Sequence, residues 1–116
     1  MRLCFSGVEF GPKLATIDRP PENVARIVIE NITPAAIRIL RIEHGKAKEV
    51  AKIGSEETRI VDIERPAGST SKVLKGADGD RLYAVSTRTD VEQGVQNYHS
   101  FFSYGSTQKV RIYWAN

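Results

Sequence analysis

Chemistry-bearing residues are scarce in this 116-residue chain, which holds two histidines, one cysteine and one tryptophan. A single cysteine, Cys4, rules out an intrachain disulfide and argues against a small crosslinked secreted scaffold. Set between Leu3 and Phe5, the thiol reads as a small buried hydrophobe with no neighbouring base. His44 and His99 are far apart in sequence and do not make a zinc site of familiar spacing with Cys4. Asp78 and Asp80 flank Gly79 without a bidentate glutamate at calcium-loop spacing, and so read as a turn. Ser100, Ser103 and Ser106 lie near His99 but lack a nucleophile-elbow context, and no glycine loop is built to cradle phosphate. The expectation is a protein that is not an enzyme, with no metal site and no cofactor. A small hydrolase is the enzymatic alternative.

Long apolar runs are also missing. None approaches the roughly 20 residues of a membrane-spanning helix. Glu9 interrupts the apolar start MRLCFSGVEF, so no secretory signal is expected. The implied location is the cytoplasm, or the extracellular space if a leader has been removed. An excess of one charge is absent too: 17 Lys and Arg against 14 Asp and Glu leave a net +3, too little to indicate nucleic acid. Acidic and basic residues alternate in RIVIE, RIEHGKAKE and EETRIVDIER, as on solvated strand faces. The last twenty residues differ, because they contain Lys109 and Arg111 but no acid.

What the sequence does contain is short β-type segments divided by turn residues, the pattern of a sandwich or barrel. The expected fold is all-β: one domain over residues 1–116, an antiparallel β-sandwich of about 7–9 strands with little helix. Strands are expected at Leu3–Phe10, Leu14–Ile17, Val24–Asn31, Ala36–Glu43, Ala47–Ile53 and Glu57–Glu64. Within AIRILRIE, Ile37 and Ile39 share one face while Leu40 and Ile42 share the other, so either a β-bulge near Ile39-Leu40 repairs the phase or the strand is buried on both faces; the bulge is favoured because Arg38 and Arg41 each need a route to water. In EETRIVDIE, Ile60 opposes Val61 and Ile63. Asn31-Ile32-Thr33 is formally a glycosylation sequon, but Pro34 follows it and the segment reads as a strand end and a bend. Asp78-Gly79 suggests a hairpin joining Ser71–Lys75 to Arg81–Thr87. Residues Thr89–Asn97 read as a loop, and a final hairpin is expected between Tyr98–Tyr104 and Gln108–Trp114.

The densest chemistry lies in NYHSFFSYGS, residues 97–106, with four aromatics and a histidine. On one strand Tyr98, Ser100, Phe102 and Tyr104 face one way, and His99, Phe101 and Ser103 the other. The first set is the more apolar, so Phe102 is expected in the core. Either both phenylalanines are packed, or Phe101, His99 and Tyr113 form an exposed aromatic platform. The candidate ligand-binding residues are accordingly Tyr98, His99, Phe101, Arg111 and Tyr113.

Residues Val28–Ser86 carry Asn31-Ile32-Thr33-Pro34 after a strand, then AIRILRIEHG, then Ile53-Gly54, then VLKGADG. That succession resembles the β domain of the von Hippel–Lindau tumour suppressor. The family's pocket for hydroxylated proline uses tryptophan, tyrosine and histidine side chains on these strands. Residues 36–43 have no tryptophan, and VLKGADG lacks the preceding histidine and tryptophan. What the resemblance implies is a seven- or eight-stranded sandwich used for non-catalytic recognition.

The leading functional reading is therefore a module that binds another macromolecule, a protein, through end loops or the C-terminal aromatic hairpin. The runner-up is a lectin-like carbohydrate module, with Tyr98, His99, Tyr113 and Trp114 as stacking surfaces and Gln96 and Asn97 bonding hydroxyls. Attachment to a membrane surface by the basic, aromatic C-terminal end is a third reading. An uncovered edge strand would also allow a homo-oligomer.

Overall fold

The computed structural model describes residues 2–8, 19–43, 46–68, 73–74, 81–86, 96–98 and 102–115. None of the described residues is helical. The strands are β1 (Arg2–Val8), β2 (Val24–Asn31), β3 (Ile37–Glu43), β4 (Lys46–Ile53), β5 (Thr58–Glu64), β6 (Val73–Leu74), β7 (Arg81–Ser86), β8 (Gln96–Tyr98), β9 (Phe102–Ser103) and β10 (Thr107–Ala115). They form a β-sandwich: one sheet in the order β1-β10-β2-β5, a second in the order β4-β3-β7-β8, and a short β6-β9 ladder. β1 lies beside β8 on one side of the sandwich, and on the other β4 runs into β5 through the Gly54–Glu57 turn. One pair departs from the expected antiparallel pattern, because β10 runs parallel to β2.

Strand β2 is central in its sheet and explains its own composition. Ala25, Ile27 and Ile29 enter the core, and Val28, on the opposite face, is only 5% exposed. In register Val28 sits between Lys109 and Ile60, whose aliphatic lengths flank it on the outer face. The core takes Leu3, Val110 and Ile112 from the same sheet, and Ile37, Ile39, Ile53, Leu82 and Ala84 from the second. On β5, Val61 and Ile63 are buried while Ile60 is 55% exposed, as strict alternation requires.

The bulge is present. Ile39 pairs with Ala51 and Leu40 with Glu49, so Val50 is the extra residue and lies on β4. The register of β3 against β7 continues unbroken, from Ile39 opposite Ala84 to Leu40 opposite Tyr83. Leu40 and Ile42 are thus half-buried on the outer face and do not join Ile37 and Ile39 inside. The bulge changes the phase of β4, not of β3.

Asn31 closes β2 with a buried polar knot. Its Nδ2 donates to the carbonyls of Ala35 (2.9 Å), Ile53 (3.1 Å) and Gly54 (3.0 Å). Its Oδ1 accepts from the backbone N–H of Thr33 (2.9 Å) and from Thr33 Oγ1 (2.7 Å). Thr33 Oγ1 also lies 2.9 Å from the Ala35 carbonyl, and Ser55 Oγ donates to the Thr33 carbonyl at 2.6 Å. Asn31 and Thr33 are buried to within 1%, so the sequon is a structural joint between the sheets and offers no surface amide.

Two expected pairings are corrected. Tyr98 and Phe102-Ser103 do not hairpin with the last strand: β8 pairs with β7, β9 pairs with β6, and β10 pairs with β1 and β2. The strands either side of Asp78-Gly79 do not pair with each other, because β6 joins β9 and β7 joins β3. Local turn chemistry suggested hairpins in both places, and pairing across the sandwich took precedence. Strand β8 also begins at Gln96, inside the expected loop. The expected Leu14–Ile17 strand, His44, Gly45 and Asp78-Gly79 itself lie outside the described residues.

Candidate functional site

Two surfaces carry the aromatic and charged residues. The first is the outer face of the β1-β10-β2-β5 sheet. Alternation along β10 sends Val110 and Ile112 into the core and leaves Lys109, Arg111 and Tyr113 on the outside, all half-buried. Trp114 packs against the core. Arg111 Nε lies 2.9 Å from one Glu30 carboxylate oxygen and Lys109 Nζ 3.3 Å from the other. Partial burial disfavours the Glu30 carboxylate, but its two cationic partners outweigh that and hold its pKa below the usual range. Arg26 grips Asp62 with both ends of its guanidinium, at 2.8 and 3.0 Å, and depresses that carboxyl as well. Hydrogen bonding by Arg26 is the chief cause for Asp62.

Cys4 belongs to this face. It stands opposite Tyr113 in register, is partly exposed, and has the buried Leu3 as its neighbour on the inner side. The sequence placed Cys4 in the core because its neighbours are apolar; alternation from Leu3 turns it outward.

The candidate ligand residues are therefore divided. Arg111 and Tyr113 share the outer face, two residues apart on β10, with Arg111 engaged by Glu30. Tyr98 is on β8, at the edge of the other sheet. His99 and Phe101 lie outside the described residues.

The second surface is a cleft of 680 Å³ at one end of the sandwich, lined by Arg19, Pro20, Glu22, Arg65, Ser103, Tyr104 and Gly105. Three chain segments meet there for stated reasons. The antiparallel β2-β5 register sets Asn23 beside Arg65, and the Arg65 N–H donates to the Asn23 carbonyl at 2.7 Å. The parallel β2-β10 pair brings in the corner before β10, where Gly105 N–H donates to the Val24 carbonyl at 2.7 Å and Arg26 N–H to the Ser106 carbonyl at 3.0 Å. A turn closes the third segment, with Val24 N–H donating to the Pro21 carbonyl at 3.0 Å. Gly105 has φ of 81°, which only glycine adopts without strain, and this lets the chain turn from β9 into β10.

Tyr104 packs partly against the core. The Arg65 guanidinium lies 5.7 Å from the centre of its ring, in cation–π range. Arg19 and Glu22 are exposed around the opening. The cleft thus offers an aromatic surface, cations and one acid on a backbone held by hydrogen bonds. Sequence reading singled out Tyr104 within the aromatic cluster, whereas Arg19, Glu22 and Arg65 fall between the expected strands. The convergence of the three needs the β2-β10 parallel pairing, which no local signal announces.

No family model, curated protein or solved structure matches the chain. Among the described residues no three of His, Cys, Asp and Glu are grouped so as to hold a metal ion. No helix among them is long and apolar enough to cross a membrane.

Proposed function

We propose that this protein is a non-catalytic recognition module that holds a protein partner in the end-loop cleft. The observation that carries the reading is the Arg65–Tyr104 stack at the cleft, supported by the backbone bonds of Arg65 and Gly105 to the first residues of β2. Arginine and tyrosine are the residue types that dominate binding energy at protein interfaces, because each gives large contact area with a polar tip. Holding them on a fixed backbone lowers the entropy lost on binding. The mixed charge of Arg19, Arg65 and Glu22 suits a peptide surface with charges of both signs. The likeness of residues 28–86 to the von Hippel–Lindau β domain implies the same kind of use, without that family's pocket residues.

Site-specific photocrosslinking in the native cell tests it. A photoreactive amino acid replaces Ser103, which is exposed at the cleft, and in a separate chain replaces Ser6, which is exposed on the outer sheet face. The reading predicts a discrete protein adduct from position 103 that Arg65→Ala diminishes, and none from position 6. An adduct from position 6 alone would move the site to the sheet face. Failure of both positions, together with selective retention on a glycan array, would replace the protein partner by a carbohydrate.

A further inference from the structure

The open side of the sandwich between β4 and β5 carries a feature that the end cleft does not use. The bonds Asn31 N–H to Glu57 carbonyl and Arg65 N–H to Asn23 carbonyl fix which β5 residues face β2. In the β2-β5 register they make the odd-numbered residues of β5 the bonded ones. Thr58, Ile60, Asp62 and Glu64 therefore turn their N–H and C=O groups to the free edge. Beneath that edge lies a cleft of 690 Å³, lined by Arg41, Lys46, Ala47, Lys48 and Val50 of the second sheet and by Asp62, Ile63 and Glu64 of β5. The Gly54–Glu57 turn joins the two strands at the far end, where Glu57 N–H donates to the Gly54 carbonyl at 3.1 Å.

The two edges are not equally guarded. β4 carries Lys46, Lys48 and Lys52 and a bulge, features that discourage pairing with another strand. β5 has no lysine, proline or bulge, and it exposes Ile60 at its middle. We propose that the β5 edge accepts an extended segment of a partner protein as a fifth strand, with apolar inward side chains and one acidic one. The alternation of a strand supplies the specificity. An added antiparallel strand places its inward side chains beside Val61 and Ile63 and over Val50, where apolar groups fit. Toward the Glu64 end the next inward side chain meets Lys46 and Lys48. Asp62 is already bonded to Arg26, so among the described lining residues Lys46 and Lys48 outnumber the remaining carboxylate of Glu64. That excess selects an acid at the N-terminal inward position.

The probe is the capped heptapeptide Thr-Glu-Thr-Val-Thr-Val-Thr, whose inward set is Glu, Val, Val. Amide exchange of the whole chain is followed with and without it. The expected result is about tenfold or greater slowing at the amides of Ile60, Asp62 and Glu64, and about tenfold weaker binding by the Lys46→Glu/Lys48→Glu protein or by a probe with lysine in place of glutamate. Ile60→Pro removes an edge N–H that the β2 ladder does not use, and abolishes binding. If that variant unfolds, the lysine pair decides. Absence of protection at those three amides with saturating probe overturns the proposal. So does binding that ignores both the lysine reversal and the proline. Protection that appears without probe, in step with concentration-dependent dimerisation, would assign the edge to a second copy of the chain instead.

Discussion

Replacing Asn31 by alanine tests the joint between the two sheets. The substitution removes an amide that donates to three carbonyls and accepts from Thr33. Two of the partner carbonyls have another donor: the Thr33 hydroxyl, released from Asn31 Oδ1, turns to the Ala35 carbonyl, and the Gly54 carbonyl still accepts from Glu57 N–H. The Thr33 N–H loses its acceptor in a residue 1% exposed, at about 1–3 kcal/mol. Under-satisfied carbonyls and the vacated volume add roughly 1–2 kcal/mol. The expected loss is about 3 kcal/mol, or about 2 M in the urea midpoint at a slope near 1.5 kcal/mol/M. Asn31→Asp is nearly isosteric but sets a carboxylate oxygen against those carbonyls. Burial raises the folded-state pKa of such a group above its unfolded value of about 3.9. The variant is therefore least compromised below that value, and it loses further stability as pH rises toward the folded pKa. Urea melts of all three proteins at pH 4.5 and pH 8 supply the numbers. A loss under about 0.5 kcal/mol for alanine, or an aspartate variant indifferent to pH, would refute the network.

Cys4, partly exposed opposite Tyr113, should be modified by Ellman's reagent in the native protein, more slowly than in urea but without unfolding; labelling that waits for denaturation would return it to the core. Glu30 has a depressed folded-state pKa, so its ion pairs contribute above the unfolded value near 4.3 and are lost as pH falls through the folded one. The stability gap between the native chain and Glu30→Gln should therefore narrow in urea melts between about pH 5 and pH 2, and a constant gap would contradict the assignment. Gly105→Ala forces a side chain into positive φ with its Cβ 3.5 Å from Glu22 Cα, and should cost about 1–2 kcal/mol by the same melts.

Much of the fold is legible in residue patterns, and the parts that are not share a cause. Alternation located β2, β3, β4 and β5 within a residue or two, whereas the mixed faces of AIRILRIE pointed to the level of the bulge but not to its strand, since Val50 of β4 is the extra residue and β3 keeps its phase. These are local signals, because a strand's two faces are written in its own residues. Which strand pairs with which is a different matter. Asp78-Gly79 and Gly105-Ser106 are good turn sequences, yet β7 pairs with β3 and β10 lies between β1 and β2. Burial of whole strands outweighs the preference of two turn residues. The end cleft was hidden for the same reason. Tyr104 stood out as an aromatic, but Arg19 and Arg65 reach it only through a register set by partners 81 residues away along the chain, as in Val110 opposite Ile29. Cys4 shows the reverse error: its apolar neighbours suggested burial, and one step of alternation exposes it.

The most direct test of the end-loop cleft compares two single substitutions at the two candidate surfaces. Arg65→Ala removes the cation over Tyr104, and Tyr113→Ala removes the aromatic beside Arg111 on the outer sheet face. Affinity for the crosslinked partner is measured for both by calorimetry, after melts establish that each is folded. The account predicts that Arg65→Ala weakens binding by about tenfold or more, the loss typical of an interface anchor, while Tyr113→Ala changes it by less than about twofold. Loss of affinity in Tyr113→Ala with Arg65→Ala unaffected would contradict it and place recognition on the sheet face.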